Sequence, residues 1–294
     1  MKRAVCIGIN NYPGIFSDLK GCVNDAMDWS ALLQGLGFDV SLMLDSQATR
    51  KNVKAVLQGL VDATNAGDIA VFTYSGHGTQ TLDANSDEGD PYDEAIYLYD
   101  GTVIDDELRV ILQGMRPQAT LLVISDSCFS GSVTRIAGEK AIPRFVPSTV
   151  STAGRMARRS FLLPETDMPE ILVTGCSDSE YSYDAEFDGR PNGAMTALAL
   201  RVIKQNPNAT YREFYAGLRA LLPSQEYPQT PHWRVLMPTK TESYLNRLRS
   251  NRSLNLPHRP HHHLLPNRHP RRSHPGASWE QYSKWPVSSK GEDK

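Results

Sequence analysis

Apolar residues gather in short runs at 4–9, 38–44, 69–74, 121–125, 171–175 and 233–237, each rich in Val, Ile or Leu. Runs of this length suit strands, and apolarity at consecutive positions suits strands covered on both faces, as in a parallel sheet between helices. Between the runs the spacing turns helical. Cys22, Ala26, Trp29, Leu33 and Leu36 form one stripe, with Gly37 placed to stop the helix. Val53, Val56, Leu57 and Leu60 form another behind Thr49, a good N-cap. Segments 105–115, 193–204 and 210–222 show the same period. Strand–helix alternation of this kind predicts an α/β fold, a mainly parallel sheet of about six strands sandwiched by helices.

Two stretches break the rhythm. Residues 132–169 contain Pro143, Pro147, Pro164 and Pro169, many Ser and Thr, and the basic cluster Arg155, Arg158 and Arg159. A segment this long without clear periodicity is usually functional or mobile, and a mobile loop is expected within a domain spanning 1–245. Residues 246–294 are rich in Pro, His and Arg and poor in aliphatics, so a disordered basic tail is expected there. Its histidines, His261 to His263 with His258, His269 and His274, are read as part of that polar tail, since no fixed metal geometry is evident.

Composition adds limits. The 294 residues, 40% hydrophobic and 22% charged, allow one large α/β domain or two small ones. The net charge of −2 hides an asymmetry, +7 from residue 246 onward against −9 before it. No Lys or Arg lies between Lys54 and Arg109, while ten acidic residues fall from Asp83 to Glu107. Such a field attracts cations, whether metal ions or basic peptides, although a solvated acidic loop is the simpler reading. No run approaches the ~20 apolar residues of a membrane span, and the start lacks a secretory pattern. Four cysteines without a CxxC spacing give neither a disulfide framework nor a zinc site. A cytoplasmic enzyme with free thiols is expected. Nucleic-acid partners are not expected, because no recognition motif accompanies the basic tail.

The chemistry concentrates in two segments, Tyr74-Ser75-Gly76-His77-Gly78 and Asp126-Ser127-Cys128-Phe129-Ser130-Gly131. Each follows a predicted buried strand, so both reach the carboxyl edge of the sheet, where open α/β folds present reactive groups. His77 is the only histidine before position 232. A histidine that accepts a proton near neutral pH and a cysteine whose thiolate attacks carbonyls make a candidate Cys–His hydrolase. A buried structural thiol is the alternative for Cys128.

These segments resemble the catalytic signatures of caspase-like peptidases of family C14, most closely metacaspases and their bacterial relatives. Three further matches are Ala4 to Tyr12 as a first strand, Leu19 to Ala26 opening a first helix, and the acidic stretch Asp87 to Glu94 followed by Ile104 to Leu108. The resemblance implies the caspase-hemoglobinase fold and a cysteine endopeptidase working through a His77–Cys128 dyad. It implies an oxyanion hole from the N–H groups of Gly78 and Cys128. It also implies an S1 pocket of Asp25, Ser75 and Asp126 for protein or peptide substrates with Arg or Lys at P1. No cofactor is required for that chemistry. Calcium activation is suggested by Asp93, Asp105 and Asp106, but Arg135 stands where the family has a fourth carboxylate, and Phe129 where it commonly has histidine. The basic loop supplies P1-type residues, among them Lys140 and Arg144, with self-cleavage, in cis or between molecules, expected after Arg155, Arg158 or Arg159. Alternatives are a same-clan peptidase of other specificity, resembling legumains or gingipains, and a catalytically silent caspase-fold scaffold.

Overall fold

The computed structural model describes residues 1–14, 18–82, 92–128, 141–147, 170–177 and 180–235. Its centre is a six-stranded sheet in the order β12-β9-β7-β3-β1-β2. These strands are β1 (Lys2–Gly8), β2 (Asp39–Leu44), β3 (Ile69–Ser75), β7 (Thr120–Asp126), β9 (Glu170–Thr174) and β12 (His232–Val235). All neighbours run parallel except β12, which pairs antiparallel with β9 at one edge. Every predicted strand is present.

Alternate strand residues feed two cores, as the pleat requires. Ala4, Cys6, Val71, Leu122 and Ile124 face one layer; Val5, Ile7, Ala70, Phe72, Leu121 and Val123 face the other. The first layer holds α1 (Cys22–Gly35), α4 (Ala194–Gln205) and α5 (Tyr211–Arg219), which contribute Trp29, Met195 and Phe214. The second holds α2 (Arg50–Ala63) and α3 (Asp105–Leu112), which contribute Leu57 and Leu112. Thr49 caps α2 by accepting from the Asn52 N–H, and Thr210 with Glu213 forms a reciprocal capping box on α5. This is the predicted caspase-type α/β sandwich.

Two small antiparallel sheets were not predicted. One is β4 (Gly78–Leu82), β5 (Tyr92–Leu98) and β6 (Gly101–Ile104); the other is β11 (Arg190–Gly193), β10 (Tyr183–Phe187) and β8 (Ile142–Pro143). The second sheet sits against the end of α1, and its strand β8 comes from the Pro-rich segment expected to be loop. Among the described residues no helix is long and apolar enough to cross a membrane. All four cysteines are free and buried. The expected tail lies outside the described residues, as do Arg135, Arg155, Arg158 and Arg159.

Candidate active site

β3 and β7 are adjacent and parallel, with Ser75 paired to Asp126 at their carboxyl ends. Two residues beyond that pair come His77 and Cys128, both fully buried. Tyr12, arriving after β1, fixes the histidine loop: its hydroxyl accepts the His77 N–H at 2.9 Å, and its ring lies 4.9 Å from the imidazole. The Tyr74 hydroxyl donates to His77 O at 2.7 Å, tying the same loop from the strand side. A side chain at Gly78 would collide with the carbonyl of Cys128, so only glycine lets these two loops approach as they do.

The feature sequence reasoning did not single out is Arg144. It follows β8 and is completely buried, an exceptional position for an arginine. One guanidinium nitrogen, Nη2, donates to Asp25 Oδ2 at 2.7 Å and to Asp184 Oδ1 at 2.9 Å. The other, Nη1, donates to Asp126 O at 3.0 Å and lies 3.3 Å from Asp126 Oδ2. Its carbonyl oxygen accepts two N–H groups, from Gly78 at 2.9 Å and from Cys128 at 3.3 Å. Its own N–H donates to Ser182 O at 2.9 Å. Ser182 also donates its N–H to Cys128 Sγ, so the sulfur and the Arg144 backbone are anchored on one residue.

Three buried carboxylates survive in one pocket because each is supplied with donors. Asp25 Oδ1 accepts from Asn192 Nδ2 and from the Gly193 N–H. Asp126 Oδ2 accepts the N–H and hydroxyl of Thr196, while Oδ1 takes the Ser182 hydroxyl. Asp184 accepts the N–H groups of Lys20 and Gly21. The donors from residues 20–21 and 193–196 belong to the starts of α1 and α4, whose dipoles favour negative charge. Burial nevertheless pushes the Asp25 carboxyl up to about 6, with the Arg144 charge opposing and Asp126 adding to the rise. Burial also drives the neighbouring Cys22 thiol well above its usual range, in keeping with a packing role.

Of the predicted pocket residues, Asp25 and Asp126 meet on the guanidinium. Ser75 is buried at the end of β3, but the Arg144 hydrogen bonds go elsewhere. Asp184 is the residue that was missed; it lies in β10, a short strand of mixed polarity carrying no motif. The residues named for calcium lie apart from this pocket. Asp105 and Asp106 stand in the first turn of α3, where both pair with Arg109 of the same helix. Asp93 lies in β5. Among the described residues no group of three or more His, Cys, Asp or Glu is placed to hold a metal ion. Arg109 is thus the cation that meets two of these carboxylates here, and no chemical step below depends on a calcium ion.

Comparison with known proteins agrees with this architecture. Residues 2–137 match the family model for the metacaspase, peptidase C14 domain. The chain is 32% identical to Metacaspase-1A of Aspergillus clavatus, over 82% of this chain and 67% of that protein. It is 27% identical to Metacaspase-1 of Scheffersomyces stipitis, over 78% and 69%. Among solved structures, protein GSU0716 from Geobacter sulfurreducens superposes with a TM-score of 0.68 at 30% identity, covering 82% of this chain and 96% of that one. Caspase-1 from Spodoptera frugiperda, at 11% identity and a TM-score of 0.50, shares the fold, covering 80% of this chain and 86% of that one.

Proposed function

The chain belongs to the metacaspase family of C14 cysteine peptidases, and from that premise we propose that it hydrolyses peptide bonds after a basic residue, with Cys128 as nucleophile and His77 as acid–base partner. The observation that carries this reading is the seating of Arg144. A side chain held by three carboxylates and a carbonyl oxygen held by two backbone N–H groups beside a cysteine describe how a P1 arginine would lie. An acidic side chain in that pocket would add a fourth negative charge and be repelled.

In the proposed reaction the Cys128 thiolate attacks the P1 carbonyl carbon, and the carbonyl electron pair moves onto oxygen. The N–H groups of Gly78 and Cys128 stabilise that oxyanion. Collapse of the tetrahedral intermediate breaks the C–N bond, and His77 gives a proton to the leaving amine. Water, deprotonated by His77, then attacks the thioester, and its cleavage releases the new carboxyl group and regenerates the thiolate. Asp25, Asp126 and Asp184 bind the P1 cation by charge-assisted hydrogen bonds. A lysine ammonium falls about one bond short of the arginine Nη positions. Arginine, with donors reaching all three carboxylates, is therefore the better fit.

The same seating adds a candidate to the expected self-cleavage sites. Arg155, Arg158 and Arg159 lie outside the described residues, whereas the Arg144–Phe145 bond already passes through the site. We place self-cleavage there. Mass spectrometry of freshly purified wild type should show a fragment ending at Arg144, absent from Cys128→Ala and from Arg144→Gln. In parallel, wild type should turn over Arg-terminated fluorogenic peptides, with Lys slower and Asp negligible, and Cys128→Ala and His77→Ala should each abolish turnover. Normal turnover by a folded Cys128→Ala protein would overturn the assignment.

A further inference from the structure

Beyond the bond itself, the chain emerging from the site is held as firmly as the chain entering it. Phe145 makes a parallel bridge with Gly78, and the Val146 N–H donates to Gly78 O at 3.0 Å. Together with the Gly78 N–H on Arg144 O, these bonds clamp the backbone on both sides of Phe145 and fix the direction of its ring. That ring meets Tyr181, with centroids 5.9 Å apart and planes tilted by 42°. Such separations fall within the favourable range for aromatic pairs.

Tyr181 is not a passing neighbour. It is half-buried, packs against the core layer shared by α1 and α4, and is met edge-on by Tyr183 at 6.3 Å. It directly precedes Ser182, the residue that holds both Cys128 Sγ and the Arg144 N–H. The stretch 181–184 therefore touches the bound segment three times: the Tyr181 ring at Phe145, the Ser182 backbone at Arg144, and the Asp184 carboxylate at the guanidinium. Burial, and after it the neighbouring Cys128, hold the Tyr181 phenol above its usual range.

We propose that Tyr181 forms a binding subsite for the residue immediately after the scissile bond, and that this subsite takes aromatic side chains. The substrate class becomes an extended segment in which arginine is followed by Phe, Tyr or Trp. The inference rests on the reading of Arg144 as a bound P1 residue. Selectivity at this position acts on the leaving half of the substrate, which is held equally before and during bond cleavage. It therefore falls on KM more than on kcat.

The test uses the full chain and internally quenched peptides Ala-Ile-Pro-Arg-X-Val, matching residues 141–146 with X varied among Phe, Leu, Gly and Asp. Aromatic contact plus burial should give the Phe peptide a kcat/KM about tenfold above the Gly peptide, expressed mainly in KM. Tyr181→Ala should bring that ratio toward one, and Tyr181→Phe should preserve it. Equal cleavage of the Phe and Gly peptides by wild type overturns the subsite while leaving the peptidase assignment intact. An unchanged Phe-to-Gly ratio in folded Tyr181→Ala does the same. Failure to cleave any member of the series overturns both together.

Discussion

Two arginines of this protein each face more than one carboxylate, and the contrast between them is instructive. Arg109 pairs with Asp105 and Asp106 within a single helix, at i,i+4 and i,i+3, and those carboxylates are 31% and 12% exposed. Arg144 and its three partners come from four separate parts of the chain, and none is more than 3% exposed. The first arrangement follows from helix geometry and needs little tertiary structure. The second exists only because α1, α4, β7 and β10 converge, and its carboxylates carry donors of their own besides the guanidinium. A carboxylate cluster that is satisfied within one helix reads as local helix electrostatics. One that is prepared in the interior for a cation supplied from elsewhere reads as a receptacle.

The most damaging way to break that contrast is to remove a wall of the receptacle. Asp126→Ala should lower kcat/KM for arginine peptides by about 30- to 5,000-fold, following the ~2–5 kcal/mol attached to truncating one partner of a buried charge pair. Steady-state kinetics on protein shown to be folded by circular dichroism would measure it. Indifference to the substitution would mean that substrates do not use this pocket.

A gentler perturbation is acid. Because the Asp25 carboxyl titrates near 6 when arginine is bound, it takes up a proton as the pH falls through that value and removes one charge from the pocket. The guanidinium lowers the Asp25 value, so the empty pocket takes up this proton at a higher pH than the occupied one; KM for arginine peptides should rise as the pH falls toward about 6 and level off below it, an effect that Asp25→Asn should erase. The sign for folding is the opposite. A carboxylate whose folded pKa lies above its unfolded value of about 4 contributes stability fully below that value and loses it as the pH rises through about 6.

The smallest effect belongs to the other arginine. Arg109→Ala should change stability by about 1 kcal/mol or less, as local ion pairs do, and leave the preference for P1 arginine unaltered. Thermal melting and the same peptide set would check both points. A large loss of arginine selectivity would show that the two clusters are linked.

The sheet and its helices were legible because each has a strong local signal, whereas Asp25 and Asp126 were named through the resemblance to family motifs. Consecutive apolar residues mark β1, β3 and β7, helical spacing marks α1 and α2, and Asp126 travels with the Cys128 segment. Asp184 carried no such signal: it lies in Tyr183–Phe187, a short strand whose role depends on pairing with β8. Arg144 was legible only as one of several basic residues in a proline-rich stretch. Which of them reaches the site depends on the antiparallel register of β8 on β10, a long-range property that spacing does not encode. The small sheet of β8, β10 and β11 was missed for the same reason, since Pro143 and Pro191 argue against strands and its two edge positions tolerate them.

The positions of the pocket donors have a consequence for synthesis. The proposed nucleophile and base both lie within the first 128 residues, whereas Asp184, Gly193 and Thr196 are made some 55 to 70 residues later. A chain still on the ribosome at residue 150 therefore carries the reactive pair with two carboxylates lacking their α4 donors and the third not yet present. If substrates use the proposed pocket, selective cutting requires the start of α4 to dock, so the order of translation would by itself hold it back until most of the polypeptide has been made.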